Sequence, residues 1–208
     1  MRFLITAGPT HEHFDPVRYI SNRSSGKMGY ALAEAARAVG GEVTLVSGPT
    51  ALTPPAQVEF VAVTSAAEMA DAVFARFPNA DVVIMAAAVC DFRPKQVADH
   101  KLKKTTWGAE LTLALEPTTD ILAELGRRKQ SQVLVGFAVE TQDLAAYAQD
   151  KLRRKNLDFI VGNHASAFDR DTNVVTLWHA DGRREDLPEM AKSAVAVAII
   201  ERIVAIRP

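Results

Sequence analysis

The chain has 208 residues, 48 % of them hydrophobic and 24 % charged, with a formal net charge of −1. That mix is typical of a soluble globular protein long enough to bury a real core. The balanced charge excludes a general attraction to nucleic acid or to membrane surfaces, so any anion site must be built locally. Cys90 is the single cysteine, which excludes an intramolecular disulfide and fits a reducing cytoplasm. No apolar run reaches the ~18 residues of a spanning helix, and the start lacks a signal-peptide pattern.

Short apolar strands alternate with helical stretches, so the spacing predicts an α/β fold: a Rossmann-like parallel sheet with helices on both faces, in one domain over 1–208. A strand over Phe3–Thr6 meets a turn, Gly8-Pro9-Thr10. A polar stretch, Asp15–Gly29, then leads into an Ala-rich helix from Tyr30 to Val39, which Ser24 or Ser25 can cap. Gly40-Gly41 stops that helix. A second strand, Val43–Ser47, ends without an Asp or Glu to hold a ribose 2′-hydroxyl. Val58–Val63 is a third strand, and Ser65-Ala-Ala-Glu68 is a capping box that opens a helix to about Phe77.

Asp81–Val89 is a continuous apolar run, read as a central buried strand. From Cys90 to Gly108 periodicity is lost and lysines accumulate, which suits a lid. Further along, Leu111–Leu115 reads as a strand, Asp120–Lys129 as a helix, Val133–Val139 as a buried strand, Leu144–Lys155 as a helix and Phe159–Gly162 as a short strand. Val174–Trp178 and Arg183–Asp186 form a C-terminal β-hairpin around Ala180-Asp-Gly182, and Pro188 starts the last helix.

Lys27, Gly26 and Gly29 at a helix start suit an anion, most simply phosphate, because the first amides of a helix are free and glycine lets backbone approach a ligand. Two familiar phosphate motifs do not fit. Met28 follows Lys27 where a P-loop needs Ser or Thr, and Gly8-Pro9-Thr10 lacks the glycine fingerprint of a dinucleotide site. Asp91 sits just past the central strand, where open α/β sheets place ligands, but it also suits a turn. Lys101-Leu-Lys-Lys104 is either a solvated face or a lid that folds onto phosphates. Thr119 or Asp120 can cap the helix that follows, Phe137 suits either core or a base, and Lys151 and Lys155 lie one turn apart on one helix face. His11 and His13 make only a weak metal pair, and no Cys/His cluster has zinc spacing.

The stretches Ile5-Thr-Ala-Gly-Pro-Thr10 and Asp15-Pro-Val-Arg-Tyr-Ile-Ser-Asn-Arg-Ser-Ser-Gly-Lys-Met-Gly29 closely resemble bacterial phosphopantothenoylcysteine synthetase, also called phosphopantothenate–cysteine ligase. The resemblance continues through Ala86–Phe92, Lys101–Lys104, Glu116–Leu122, Gly136–Thr141 and Lys151–Asp158. It departs at Cys90 and Val139, where the family has alanine.

The resemblance implies a CTP-dependent ligation that makes an acyl-cytidylate and then an amide, with CTP as co-substrate and Mg2+ as cofactor. It implies catalytic roles for Asn22 and Lys101, and substrate contacts for Arg18, Asn22, Asp91 and Phe92. Nucleotide contacts are implied for Gly8, Thr10, Ser24, Ser25, Gly26 and Lys27, for Met85, Ala86, Ala87 and Asp91, and for Lys101, Thr119, Asp120, Ile121, Leu122, Phe137, Lys151 and Lys155. No protein residues are assigned to the metal. The implied partners are 4′-phosphopantothenate, cysteine, a second copy in a homodimer, and the flavin-dependent decarboxylase to which such synthetases are often fused; the sequence leaves open whether the chain is standalone or half of such a fusion. Two other readings stay open on the residues alone: an NAD(P)-dependent oxidoreductase, disfavoured by the missing fingerprint and acid, and a non-catalytic nucleotide-binding module.

Overall fold

The computed structural model describes residues 1–107, 110–140, 143–164 and 171–206, so Gly108 of the predicted lid and Thr141 lie outside the described residues. In chain order the elements are β1 (Arg2–Ala7), β2 (His11–His13), β3 (Tyr19–Ser21), α1 (Lys27–Ala38), β4 (Glu42–Ser47), β5 (Glu59–Ala62), α2 (Ala66–Arg76) and β6 (Val82–Met85). There follow β7 (Phe92–Pro94), α3 (Lys104–Trp107), β8 (Leu115–Pro117), α4 (Ile121–Arg128), β9 (Val133–Glu140), α5 (Leu144–Arg154), β10 (Phe159–His164), β11 (Thr172–His179), β12 (Arg184–Ala191) and α6 (Lys192–Ile206).

The main sheet is 8-stranded, in the order β12-β11-β10-β9-β6-β1-β4-β5. Six neighbouring strands, β5 to β10 in that order, run parallel, and β11 and β12 are antiparallel. Strand β1 pairs with β4 on one side and β6 on the other, so the chain reverses direction across the sheet beside β1. Open α/β sheets bind ligands at such a switch point, beyond the C-terminal strand ends. One apolar layer holds α1 and α6 through Leu32, Ala36, Ile199 and Ile203, and the opposite layer holds α2, α4 and α5 through Met69, Val73, Leu125 and Leu152. Strands buried on both faces explain the unbroken apolar runs in Leu4–Ile5, Val82–Ile84 and Val133–Val135.

Several boundaries differ from the sequence reading. The apolar run Asp81–Val89 is strand only over Val82–Met85; beyond it the Ala87 N–H turns to the Thr6 hydroxyl at 3.1 Å and the Ala88 N–H to the Gly8 carbonyl at 2.9 Å. Leu111–Leu115 is not a strand: pairing begins at Leu115 and joins β8 to β7. The hairpin of β2 and β3 lies in a stretch read as loop. Its His11 ring stacks on Tyr19 at 3.8 Å, and no group of three metal-binding side chains occurs among the described residues.

The predicted C-terminal hairpin extends the main sheet rather than standing apart. Pro188 does not start the last helix; it lies in edge strand β12, at a register shift between the Val175–Leu187 and Asn173–Met190 pairs. An edge or bulge position has no ladder hydrogen bond for proline to break. Helix α6 therefore begins only at Lys192.

Candidate functional site: a cavity at the strand ends

A cavity of about 680 Å³ opens at the C-terminal ends of β6 and β9 and the start of α1. Glycine packing places the start of α1. Gly29 lies so close to β1 that an added Cβ would sit 2.5 Å from the Ala7 Cβ. Gly26, at φ +79°, ends the loop, and a Cβ there would meet Thr50 at 2.7 Å. The predicted serine cap is absent: α1 starts at Lys27 with no side-chain cap, and the Ser24 hydroxyl instead accepts the Gly26 N–H at 3.3 Å. The first amides of a 12-residue helix therefore have no serine over them and face a cavity lined by Ser24, Ser25, Gly26 and Lys27.

The tail of β6 forms one wall through Met85, Ala86 and Ala87, leading to Asp91. The loop before α4 and its first turn supply another through Thr119, Asp120, Ile121 and Leu122. Asp120 caps α4, accepting the Ala123 N–H at 3.0 Å. Lys155 reaches the same carboxylate at 2.7 Å. Burial pushes the Asp120 carboxyl up, but Lys155, the Ala123 N–H and Lys151 outweigh it and leave it below its ordinary value. Lys151 donates to the Phe137 carbonyl at 2.7 Å. The two lysines thus line the cavity with separate protein partners, so no anion is needed to keep them apart.

Asn22 also lines the cavity, and its Nδ2 donates to the Ala88 carbonyl at 3.0 Å and contacts the Cys90 sulfur at 3.8 Å. Burial raises the Cys90 thiol pKa and so keeps it protonated, in line with a packing role.

Five predicted site residues lie off this cavity wall. A Cβ on Gly8 would meet the Gly48 carbonyl at 2.9 Å, so this glycine serves loop packing. Thr10 is fully buried, and its hydroxyl accepts the Cys90 N–H at 3.0 Å. Arg18 grips the buried Asp15 at 2.5 Å and donates to the Leu102 carbonyl at 2.8 Å. Phe92 is 52 % exposed on β7, and Lys101 is exposed beside Leu102. Three backbone amides of the predicted lid are bonded in the ligand-free chain: the Lys95 N–H donates to the Ala114 carbonyl, the Ala98 N–H to the Phe14 carbonyl, and the Leu102 N–H to the Asp15 carboxylate.

The cavity also gathers residues that the sequence reading passed over, among them Arg23, Thr118, Asn173 and Lys192. Arg23 and Thr118 lie inside the stretches Asp15–Gly29 and Glu116–Leu122 that carry the resemblance. Asn173 and Lys192 carry no local signal, because the hairpin that brings them in pairs far along the sheet.

Fold and site together define a doubly wound α/β protein with a cation-rich ligand cavity at the switch point of its sheet. The chain belongs to the family described as DNA/pantothenate metabolism flavoprotein, C-terminal domain, whose model matches residues 1–206. It is 51 % identical to the coenzyme A biosynthesis bifunctional protein CoaBC of Bacillus subtilis (strain 168) over 98 % of this chain and 51 % of that protein. It is 45 % identical to the protein of the same name from Vibrio vulnificus (strain YJ016) over 96 % of this chain and 51 % of the relative. The chain thus spans about half the length of the curated relatives it matches. Among solved structures, the C-terminal domain of a coenzyme A biosynthesis bifunctional protein CoaBC superposes with a TM-score of 0.85 at 48 % identity, covering 97 % of this chain and 93 % of that one.

Proposed function

We propose that this chain is a phosphopantothenate–cysteine ligase of coenzyme A biosynthesis. The observation that carries the reading is the cavity itself: a glycine-bounded helix start and four lysines, Lys27, Lys151, Lys155 and Lys192, around one volume large enough for a nucleotide. A carboxylate that attacks a triphosphate brings many negative charges together, and helix-end amides and ammonium groups stabilise that arrangement. The 51 % identity to a protein named for coenzyme A biosynthesis supports the same reading.

In the first step a phosphopantothenate carboxylate oxygen bonds to the α-phosphorus of CTP, the bond to the β-phosphate breaks, and pyrophosphate leaves. In the second, the cysteine amine attacks the acyl carbon, the acyl–phosphate bond breaks, CMP leaves, and the amine proton passes to solvent. Ser24, Ser25, Gly26 and Lys27 are assigned to the phosphates, Phe137 and the α4 start to the nucleoside, and Lys151 and Lys155 to the nucleotide's charge. Asn22 faces the acyl group: its donors are engaged with Ala88 and Cys90, so its carbonyl is the group left for the attacking amine. Magnesium bound to the triphosphate supplies further charge neutralisation on the phosphates.

The active form is a homodimer in the cytoplasm, in which Arg18, Asn22 and Asp91 lie near the second copy and Lys101 closes over bound nucleotide. A decarboxylase domain that makes the next intermediate is the natural partner. Pyrophosphate release from nucleotide plus phosphopantothenate, with and without cysteine, tests the core of the reading: no release with any nucleotide would sink it. The same assay run with CTP and ATP checks base choice, and light scattering that finds an active monomer would refute the dimer.

A further inference from the structure

Of the four cavity lysines, Lys192 has no role in the steps above, and neither has its cavity neighbour Asn173. Both lie toward the place where α1 and α6 begin. These helices pack against each other in one apolar layer, have 12 and 15 residues, and each opens with a lysine, Lys27 and Lys192. Neither has an Asp or Glu in its first turn. A helix start carries partial positive charge and favours acidic side chains, so a lysine there has the wrong sign. Two such starts on one cavity concentrate positive potential, and an anion between them offsets that cost.

Asn173 points to a ligand independently. It is 5 % exposed on the cavity wall, and its Oδ1 has no hydrogen-bond partner among the described residues. A buried amide oxygen without a donor is costly, and native proteins leave few of them. The two ends of an amide are alike in shape, and a half-turn puts the NH2, with two donors, in the oxygen's place. Beside two ammonium groups, a phosphate satisfies that NH2 and the charges together. Lys27 already seats one anionic oxygen: Asp171 Oδ1 accepts from its Nζ at 2.6 Å. Lys27 holds that carboxyl below its ordinary range, with a smaller contribution from Lys192. The Asp171 side chain is 86 % exposed and off the cavity wall, and an exposed pair of this kind is weak and exchanges readily. Lys27 can therefore turn to a ligand.

Position along the sheet selects the phosphate. Phe137, assigned to the nucleoside, is on β9, and Asn173 is on β11, two strands further along the sheet. Two strand spacings are roughly 10 Å. The group that reaches so far from the nucleoside is the far end of a phosphate chain. We infer that Asn173 and Lys192, with Lys27, form a subsite for the terminal phosphate of the nucleoside triphosphate, the end that leaves within pyrophosphate. This rests on the nucleotide reading of the cavity. The subsite selects a triphosphate over shorter nucleotides, and its cations face the charge that pyrophosphate gains when its bond to the α-phosphorus breaks.

Calorimetry with CMP, CDP and CTP, without the other substrates, tests the subsite. Wild-type affinity should rise along that series. Lys192→Gln and Asn173→Ala should each weaken CTP binding by roughly 10–100-fold, the effect of one hydrogen bond to a charged group, and leave CMP binding unchanged. Three results overturn the proposal and leave the nucleotide reading standing: no gain from CMP to CTP in the wild type, unchanged CTP affinity in the variants, or equal losses for CMP and CTP. A loss with phosphopantothenate but not with CTP also overturns it, and gives the corner to the other substrate's phosphate. A wild-type chain that binds none of these nucleotides, nor ATP, sinks the nucleotide reading and the subsite with it. Lys192 is only partly buried, so Lys192→Gln alone decides the matter if Asn173→Ala does not fold.

Discussion

Asp15 and Leu102 are 87 residues apart in sequence, and the Asp15 carboxylate accepts the Leu102 N–H at 3.1 Å. The same buried carboxylate holds the Arg18 guanidinium, which also donates to the Leu102 carbonyl. Both backbone groups of Leu102 are thus pinned to one acid–base pair, and the base of the predicted lid is pinned with them. The lysines beside it, Lys101 and Lys103, stay exposed.

Asp15→Asn should release this strap. The Arg18 guanidinium, then the Val17, Leu102 and Arg18 N–H groups, outweigh burial and hold the Asp15 carboxyl far below the usual range. A depressed folded-state pKa contributes stability that is complete above the unfolded value, about 4, and is lost as pH falls below it. Hydrogen exchange at Leu102 in the wild-type chain should therefore be unaffected by the charge state of Asp15 between pH 7 and 5. In Asp15→Asn exchange there should speed up, while the amides of β1 and β6 remain protected. Equal protection of Leu102 in both proteins would show that the strap does not depend on charge.

Lys101→Gln tests whether the lid lysine reaches phosphate. It lies off the cavity wall in the ligand-free chain, so any catalytic effect requires closure. Loss of one cation from the charge developing on phosphorus should slow pyrophosphate release by about 10²–10³-fold. Release at the wild-type rate would leave Lys101 as surface charge.

Asp120 links two jobs, the cap of α4 and the partner of Lys155. Asp120→Ala removes a cap worth about 0.5–2 kcal/mol, which for a chain of this size lowers Tm by roughly 2–4 °C per kcal/mol. Asp120→Asn keeps a capping oxygen and should recover most of the stability. Nucleotide affinity should fall in both variants if the Lys155–Asp120 geometry matters for binding. Calorimetry separates the two effects, and a wild-type Tm in Asp120→Ala would remove the cap from the account.

Asn22→Asp should separate the two chemical steps. Its carboxylate cannot donate to the Ala88 carbonyl, and it sets a negative charge beside the oxyanion that forms when the amine attacks. The first step puts its new charge on phosphate and should suffer less. Mass spectrometry of quenched reactions is expected to find accumulated acyl-cytidylate. Equal loss of both steps without an intermediate would make Asn22 a loop residue only.

Local chemistry sufficed for the helix starts at Ser65 and Asp120, because a cap is made by residues within one turn. It sufficed for the parallel sheet too, because double burial leaves unbroken apolar runs in β1, β6 and β9. The start of α1 was legible only in part: Gly26 and Gly29 record a close backbone approach, whereas the expected serine cap does not form. Other features were settled only in three dimensions. Pro188 reads as a helix start, yet it sits in β12, because only the assembled sheet makes that strand an edge. Gly8 and Thr10 carry ligand-like sequence but serve packing, since the loop after β4 and the tail of β6 close over them. Asn173 has the look of any polar strand residue. It becomes a buried acceptor in the cavity only because β11 pairs beside β10, a long-range contact that no nearby residue encodes.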